Sequence, residues 1–134
     1  MTSCIFDDAS MVATVLRVRD VGVSVSWYRD KLRLAPIHIG ADGSDHPFPS
    51  FATAGSVVSL WQMPPGAARS VKDDDNNSYV VAVLNADLQP VRRALVGRGV
   101  AVSEIRRSAN NEFIWFCDVD GNRFELSRPS ARAS

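Results

Sequence analysis

The stretch Phe116-Cys117-Asp118-Val119-Asp120-Gly121-Asn122-Arg123-Phe124-Glu125-Leu126 has turn chemistry at its centre and strand chemistry at both ends. Asp120-Gly121 is a turn signal, because glycine accepts the backbone angles of a tight reversal. Glu112 to Cys117 before it and Arg123 to Ser127 after it read as strands. Side chains alternate across a strand. If Glu125 lines a cavity, Arg123 and Ser127 line it too, while Phe124 and Leu126 point to the core. The carboxylates here do not make a calcium loop. Arg123 stands where that loop needs glycine, and Pro129 where it needs its closing glutamate. Asp73-Asp74-Asp75-Asn76-Asn77 fails in the same way at Ser78 and Leu84.

Outward from this stretch, the chain reads as two similar halves. In the second half, Tyr79 to Leu84 is a strand, Asp87 an N-cap, and Leu88, Val91 and Leu95 a helical stripe ended by Gly97 and Gly99. Val100 to Ile105 follows as a strand. In the first half, Val12 to Val18 is a strand and Asp20 an N-cap. Val21, Val25, Tyr28 and Leu32 recur at helical spacing until Pro36. Ile37 to Ile39 is a short strand, Gly40 to Pro49 a lid-like loop, and Phe51 to Ala54 and Val57 to Met63 are strands joined at Gly55-Ser56. Each half is strand, helix, three strands. The single domain therefore divides into a first module over 12–63, a linker over 64–78 and a second module over 79–128. One helix covers one face of a four-stranded sheet and leaves the other to a partner or a ligand. Two such faces opposed enclose a cleft, the usual place for a small molecule.

Composition narrows the partners. The chain has 134 residues, 46% of them hydrophobic, which is one domain's worth of core. Its 15 basic residues balance 15 acidic ones. That balance argues against nucleic acid and against an anionic membrane surface, since both need a basic excess. No apolar run approaches the roughly 20 residues of a membrane span, and the first ten residues lack a signal-peptide pattern. Cys4 and Cys117 read as two reduced thiols, so the expected compartment is the cytoplasm.

Two motifs carry a family resemblance. Leu16-Arg17-Val18-Arg19-Asp20, then Ser24, then Trp27-Tyr28-Arg29-Asp30-Lys31-Leu32, resembles the opening of a vicinal-oxygen-chelate module. Phe116 to Leu126 resembles that superfamily's closing F-x-D-P-D-G-N-x-x-E-L, with Val119 in place of proline. Arg33 likewise stands where the opening motif has glycine. The superfamily includes glyoxalase I, bleomycin-resistance proteins and extradiol dioxygenases. The resemblance implies an α+β fold of two βαβββ modules forming a U-shaped sheet around a cavity. It also implies a homodimer. Its metal-ligand positions fall here on Ala13, Ser59, Val80 (or Tyr79 with a one-residue slip) and Glu125. Only Glu125 binds a hard divalent ion well, so no metal and no other cofactor is expected.

Strand alternation then selects the side chains that could meet a ligand. Arg17, Ser59, Trp61, Trp115 and Glu125 fall on the expected cavity wall, and His38 lies beside its mouth. Glu125 is the candidate acid or base, against the ordinary reading of an ion pair with Arg17 or Arg123. Arg17 suits an anionic group. Trp61 and Trp115 suit stacking on a planar ligand, against plain packing. Trp27 and Tyr28 read as structural. The favoured function is metal-free binding of a small, partly aromatic organic molecule, as in antibiotic or metabolite sequestration. A metal-independent isomerase, lyase or cyclase using Glu125 comes next. A metal-dependent glyoxalase or dioxygenase comes last.

Overall fold

The computed structural model describes residues 4–7, 12–37, 49–53, 56–64 and 78–130. The first four-stranded sheet is built from β1 (Ala13–Val18), β2 (Pro36–Ile37), β3 (Ser50–Ala52) and β4 (Val57–Gln62), in the order β1-β4-β3-β2. The second uses β5 (Tyr79–Val83), β6 (Arg106–Arg107), β7 (Asn111–Cys117) and β8 (Arg123–Pro129), in the order β5-β8-β7-β6. Helix α1 (Val21–Leu32) follows β1, and α2 (Leu88–Gly97) follows β5. In both sheets the first strand runs parallel to the last, β1 beside β4 and β5 beside β8. The fold is thus α+β, with the same strand-helix-three-strand order in each half. Residues 38–48 and 65–77, which hold His38, most of the lid-like loop and most of the linker, lie outside the described residues.

The helices start where the aspartates stand. Asp20 accepts a hydrogen bond from the Val23 N–H at 3.1 Å, and Asp87 from that of Gln89 at 3.1 Å. Each satisfies one of the amide donors that a helix start leaves unpaired. Helix α1 carries glycine and several valines, so local propensity is weak and packing must support it. Tyr28 and Ser24, both fully buried, are the packed residues. Helix α1 ends at Arg33, which has φ 59° in the left-handed region. This is the place where the resembling motif carries glycine.

One expected strand differs. Val100 to Ile105 forms only a single bridge, Val102 to Phe116, and the ladder resumes at Arg106–Arg107. A side chain interrupts it. Ser103 N–H donates to the Trp115 carbonyl at 2.9 Å, but the Trp115 N–H donates to Ser103 Oγ, also at 2.9 Å. A hydroxyl thus replaces the backbone acceptor, and regular pairing stops there.

The two halves share one core. Leu16, Val18, Phe51, Val58 and Leu60 from the first sheet join Ile114, Phe116 and Phe124 from the second. Tyr28 links them, with its ring stacked on Phe51 (centroids 5.6 Å apart) and edge-on to Phe124 (5.9 Å). The turn between β7 and β8 then ties this core to α1. Asp118 is buried and accepts from the Tyr28 hydroxyl and from the amides of Asp120 and Asn122, both at 2.8 Å. Asn122 Nδ2 reaches Asp118 at 3.0 Å and the Arg17 carbonyl at 3.1 Å. Asp120 accepts from Ser24 Oγ at 3.1 Å and from Arg19 Nε at 2.9 Å. Ser24 and Tyr28 are one helical turn apart and so share a face. They meet Asp120 and Asp118, which the turn presents together.

Two stability predictions follow from these contacts. Arg33→Gly removes the left-handed strain and should stabilise the chain by about 1 kcal/mol, read as a higher urea midpoint. Tyr28→Phe removes a donor from Asp118 and should cost about 1–3 kcal/mol. Burial holds the Asp118 carboxyl above its usual range, opposed by the hydrogen bonds from Tyr28, Asn122 and Asp120. With the folded-state pKa raised, ionisation of Asp118 weighs against folding as pH rises through it. Losing the Tyr28 donor raises it further. The cost of Tyr28→Phe should therefore be greatest at neutral pH and shrink on acidification, measured as the stability difference from the parent chain at each pH.

Candidate functional site

The helix-free face of the second sheet gathers the most chemistry. Alternation along β8 turns Phe124 inward and leaves Arg123, Glu125 and Ser127 on the opposite face. Register places Tyr79 and Cys117 beside Arg123, Val81 and Trp115 beside Glu125, and Val83 and Phe113 beside Ser127. The Tyr79 hydroxyl donates to Glu125 Oε1 at 2.7 Å. This hydrogen bond, more than any other influence, raises the Tyr79 phenol above its ordinary value. The Arg123 guanidinium lies 4.4 Å from the Trp115 ring centroid and 5.5 Å from that of Tyr79. Asn111 Nδ2 donates to Ser127 Oγ at 2.7 Å.

The matching face of the first sheet holds the other expected residues. Arg17 pairs in register with Trp61, and Val15 with Ser59. Ser59 is buried and shares a hydrogen bond with Ser50 at 2.8 Å. Trp61 is 39% exposed, which leaves its ring open to a ligand. The structure therefore sorts the expected site residues into two groups. Glu125 and Trp115 are neighbours on one sheet, and Arg17, Ser59 and Trp61 on the other. Among the described residues, no hydrogen bond, ion pair or ring contact joins the side chains of the two groups. Neither Arg17 nor Arg123 forms an ion pair with Glu125 among these residues.

The sequence places Arg123 on the cavity face only by its alternation with Glu125, and Tyr79 only as the slipped alternative to Val80, and gives neither a role in the site. The signal for Arg123 was present, since it alternates with Glu125 on β8. Tyr79 was concealed by the register. Val80 packs against the core, so the slipped alternative, Tyr79, is the residue facing outward. The positions to which the resemblance carries metal ligands then become Ala13, Ser59, Tyr79 and Glu125. An alanine, a hydroxyl already shared with Ser50, and a phenol bonded to the one carboxylate do not suit a hard divalent ion. This donor set does not fit the metal that the fold family implies.

The cavity between the halves lies on the helix side. It has a volume of about 770 Å³ and is lined by both modules, with Val58, Leu95, Phe116, Phe124 and Leu126 in its wall. Arg17, Ser59, Trp61, Trp115 and Glu125 do not line it. Most of the sheet residues in its wall lie on the inward faces, with Val81 and Val83 at the β5 edge bordering it as well, whereas the expected site residues occupy the outward faces away from that edge.

No protein-family model matches the chain, and no curated protein matches it either. Solved structures do. A glyoxylase/bleomycin resistance protein/dioxygenase domain from Frankia sp. EAN1pec superposes with a TM-score of 0.71 at 18% identity, covering 93% of this chain and 93% of that one. TnmS3, an antibiotic binding protein from Streptomyces sp. CB03234, gives a TM-score of 0.70 at 20% identity, covering 92% of this chain and 98% of that one. A superfamily member from Sphaerobacter thermophilus DSM 20745 gives 0.69 at 19%, covering 90% and 97%. The chain has the glyoxalase/bleomycin-resistance/dioxygenase fold. Among the described residues, no helix is long and apolar enough to cross a membrane.

The Tyr79–Glu125 bond has a direct signature. The chain has two tyrosines, and burial beside Asp118 also raises Tyr28. Glu125→Gln should bring one tyrosine back toward its ordinary pKa. An absorbance titration of tyrosinate formation reads this as ionisation at lower pH than in the parent chain.

Proposed function

We propose that this chain binds a small, partly aromatic organic molecule without a metal, in a cleft formed between two copies of itself. The observation that carries this reading is the open state of the two helix-free faces. Among the described residues, β1 and β5 are each paired along one side only. On these edges Val15 is 52% exposed, Tyr79 55% and Val83 66%, more apolar surface than a solvated edge strand needs. The face of the first sheet in one copy, set against that of the second sheet in the other, would put Arg17 and Trp61 opposite Glu125 and Arg123. The likeness in fold to an antibiotic binding protein supports a sequestering role. A cytoplasmic site of action accords with a sequence that holds two cysteines, Cys4 and Cys117, in no disulfide pattern.

Glu125 also supports a second reading, a metal-independent isomerase, lyase or cyclase. Its carboxylate has a proton donor, Tyr79, at 2.7 Å, which is the reach of acid–base chemistry. Turnover of a bound compound that disappears in Glu125→Gln while binding survives would favour this enzyme.

The binding reading makes a paired prediction. Val15→Asp and Val83→Asp alter exposed side chains, so each variant should fold yet lose the dimer in light scattering after size exclusion. Both should lose binding of aromatic and quinone-like compounds in tryptophan fluorescence titrations. Trp61→Ala should keep the dimer and weaken binding about tenfold. Unchanged affinity in Trp61→Ala argues against stacking, and a monomeric parent chain that binds equally well argues against the shared cleft.

A further inference from the structure

Arg123 opens β8, an interior strand of the second sheet, on its helix-free face. Its guanidinium is held by rings, at 4.4 Å from the Trp115 centroid and 5.5 Å from that of Tyr79. The carboxylate that shares its face, Glu125, accepts from Tyr79 instead. Among the described residues no ion pair includes Arg123, and its Nε is buried with no hydrogen-bond partner. Nε is closed to solvent, but the two Nη atoms are not among the buried unpaired atoms and form no hydrogen bond among the described residues, so a ligand acceptor can meet the guanidinium there.

We infer that Arg123 is the anion-recognition residue of the cleft, and that the ligand is a flat aromatic acid. The inference rests on the proposed binding function and names its ligand class. A guanidinium presents a planar fork that matches a carboxylate in two parallel hydrogen bonds. Its flat face also stacks on aromatic rings. Over Trp115 it covers the surface on which a ligand ring was expected to stack. The ligand then meets the guanidinium edge through its carboxylate, its ring lies beyond that carboxylate, and Trp115 acts by holding Arg123 flat. Glu125 stands beside the site as a like charge to the acid. It favours a single, well-placed carboxylate over a multiply charged group.

The test compares 1-naphthoate with its neutral counterpart 1-naphthamide by isothermal titration calorimetry on the full chain. The parent chain should bind the acid about tenfold more tightly than the amide. Arg123→Gln should abolish that preference by lowering acid affinity about tenfold. Arg123→Lys keeps the charge but not the planar fork and should restore only part of the preference. Glu125→Gln should enlarge it, a result that a purely structural arginine does not produce. Urea denaturation of each variant monitors folding. Equal affinity for acid and amide in the parent chain overturns the inference and leaves the binding function standing. A preference that survives Arg123→Gln does the same. Failure of both probes to bind at millimolar concentration overturns the inference and the function together.

Discussion

The buried carboxylate of Asp118 holds the two halves of this chain in one structure. It sits in the β7–β8 turn of the second module, yet one of its donors is the Tyr28 hydroxyl on the helix of the first. Asp120 extends the same junction to Ser24 and Arg19, and Asn122 to the Arg17 carbonyl. Burying a carboxylate is costly unless hydrogen bonds compensate it, and here the turn's own amides share that task with the helix. The core around Tyr28 depends on the result, because Phe51 and Phe124 meet on its ring only when the modules are joined.

This junction shows how much of the fold was legible in sequence. Ser24 and Tyr28 belong to the opening motif, and Asp118, Asp120 and Asn122 to the closing one. Each was readable locally as helix or turn. That the two motifs are partners across about ninety residues was not, because their spacing encodes no long-range pairing. The strand expected at Val100 to Ile105 failed for a related reason. Alternating apolar residues predict strand regardless of what the neighbouring strand offers, and Ser103 Oγ takes a ladder amide that a backbone carbonyl normally accepts. Arg33 was recognised as a departure from glycine, and the structure gives that departure a conformation, φ 59°.

The site was legible by face and not by contact. Alternation placed Glu125 and Trp115 on one helix-free face and Arg17, Ser59 and Trp61 on the other. It gave no indication that Tyr79 would hold Glu125, or that Arg123 would lie on Trp115. Nor did it place the cavity on the helix side, which lies between the two modules and is lined by residues of both. Apolar side chains, Phe116 and Phe124 among them, line most of that space, whereas Arg17, Trp61, Trp115, Arg123 and Glu125 lie on the outward faces. Recognition of a partly polar ligand belongs to the latter, and enclosing the ligand there calls for a second copy of the chain.

The most direct test of that shared cleft is a subunit-mixing experiment. One variant carries Trp61→Ala, which impairs the first-sheet wall, and another carries Arg123→Gln, which impairs the second. The two are unfolded, mixed and refolded together, and titrated with the same aromatic acid. If each cleft takes one wall from each copy, half of the sites in a mixed dimer regain both intact walls. A binding component with the parent chain's affinity then appears that neither variant has alone. If the ligand site lies within one chain, every chain in the mixture carries a damaged site. No such component then appears, and the account is contradicted.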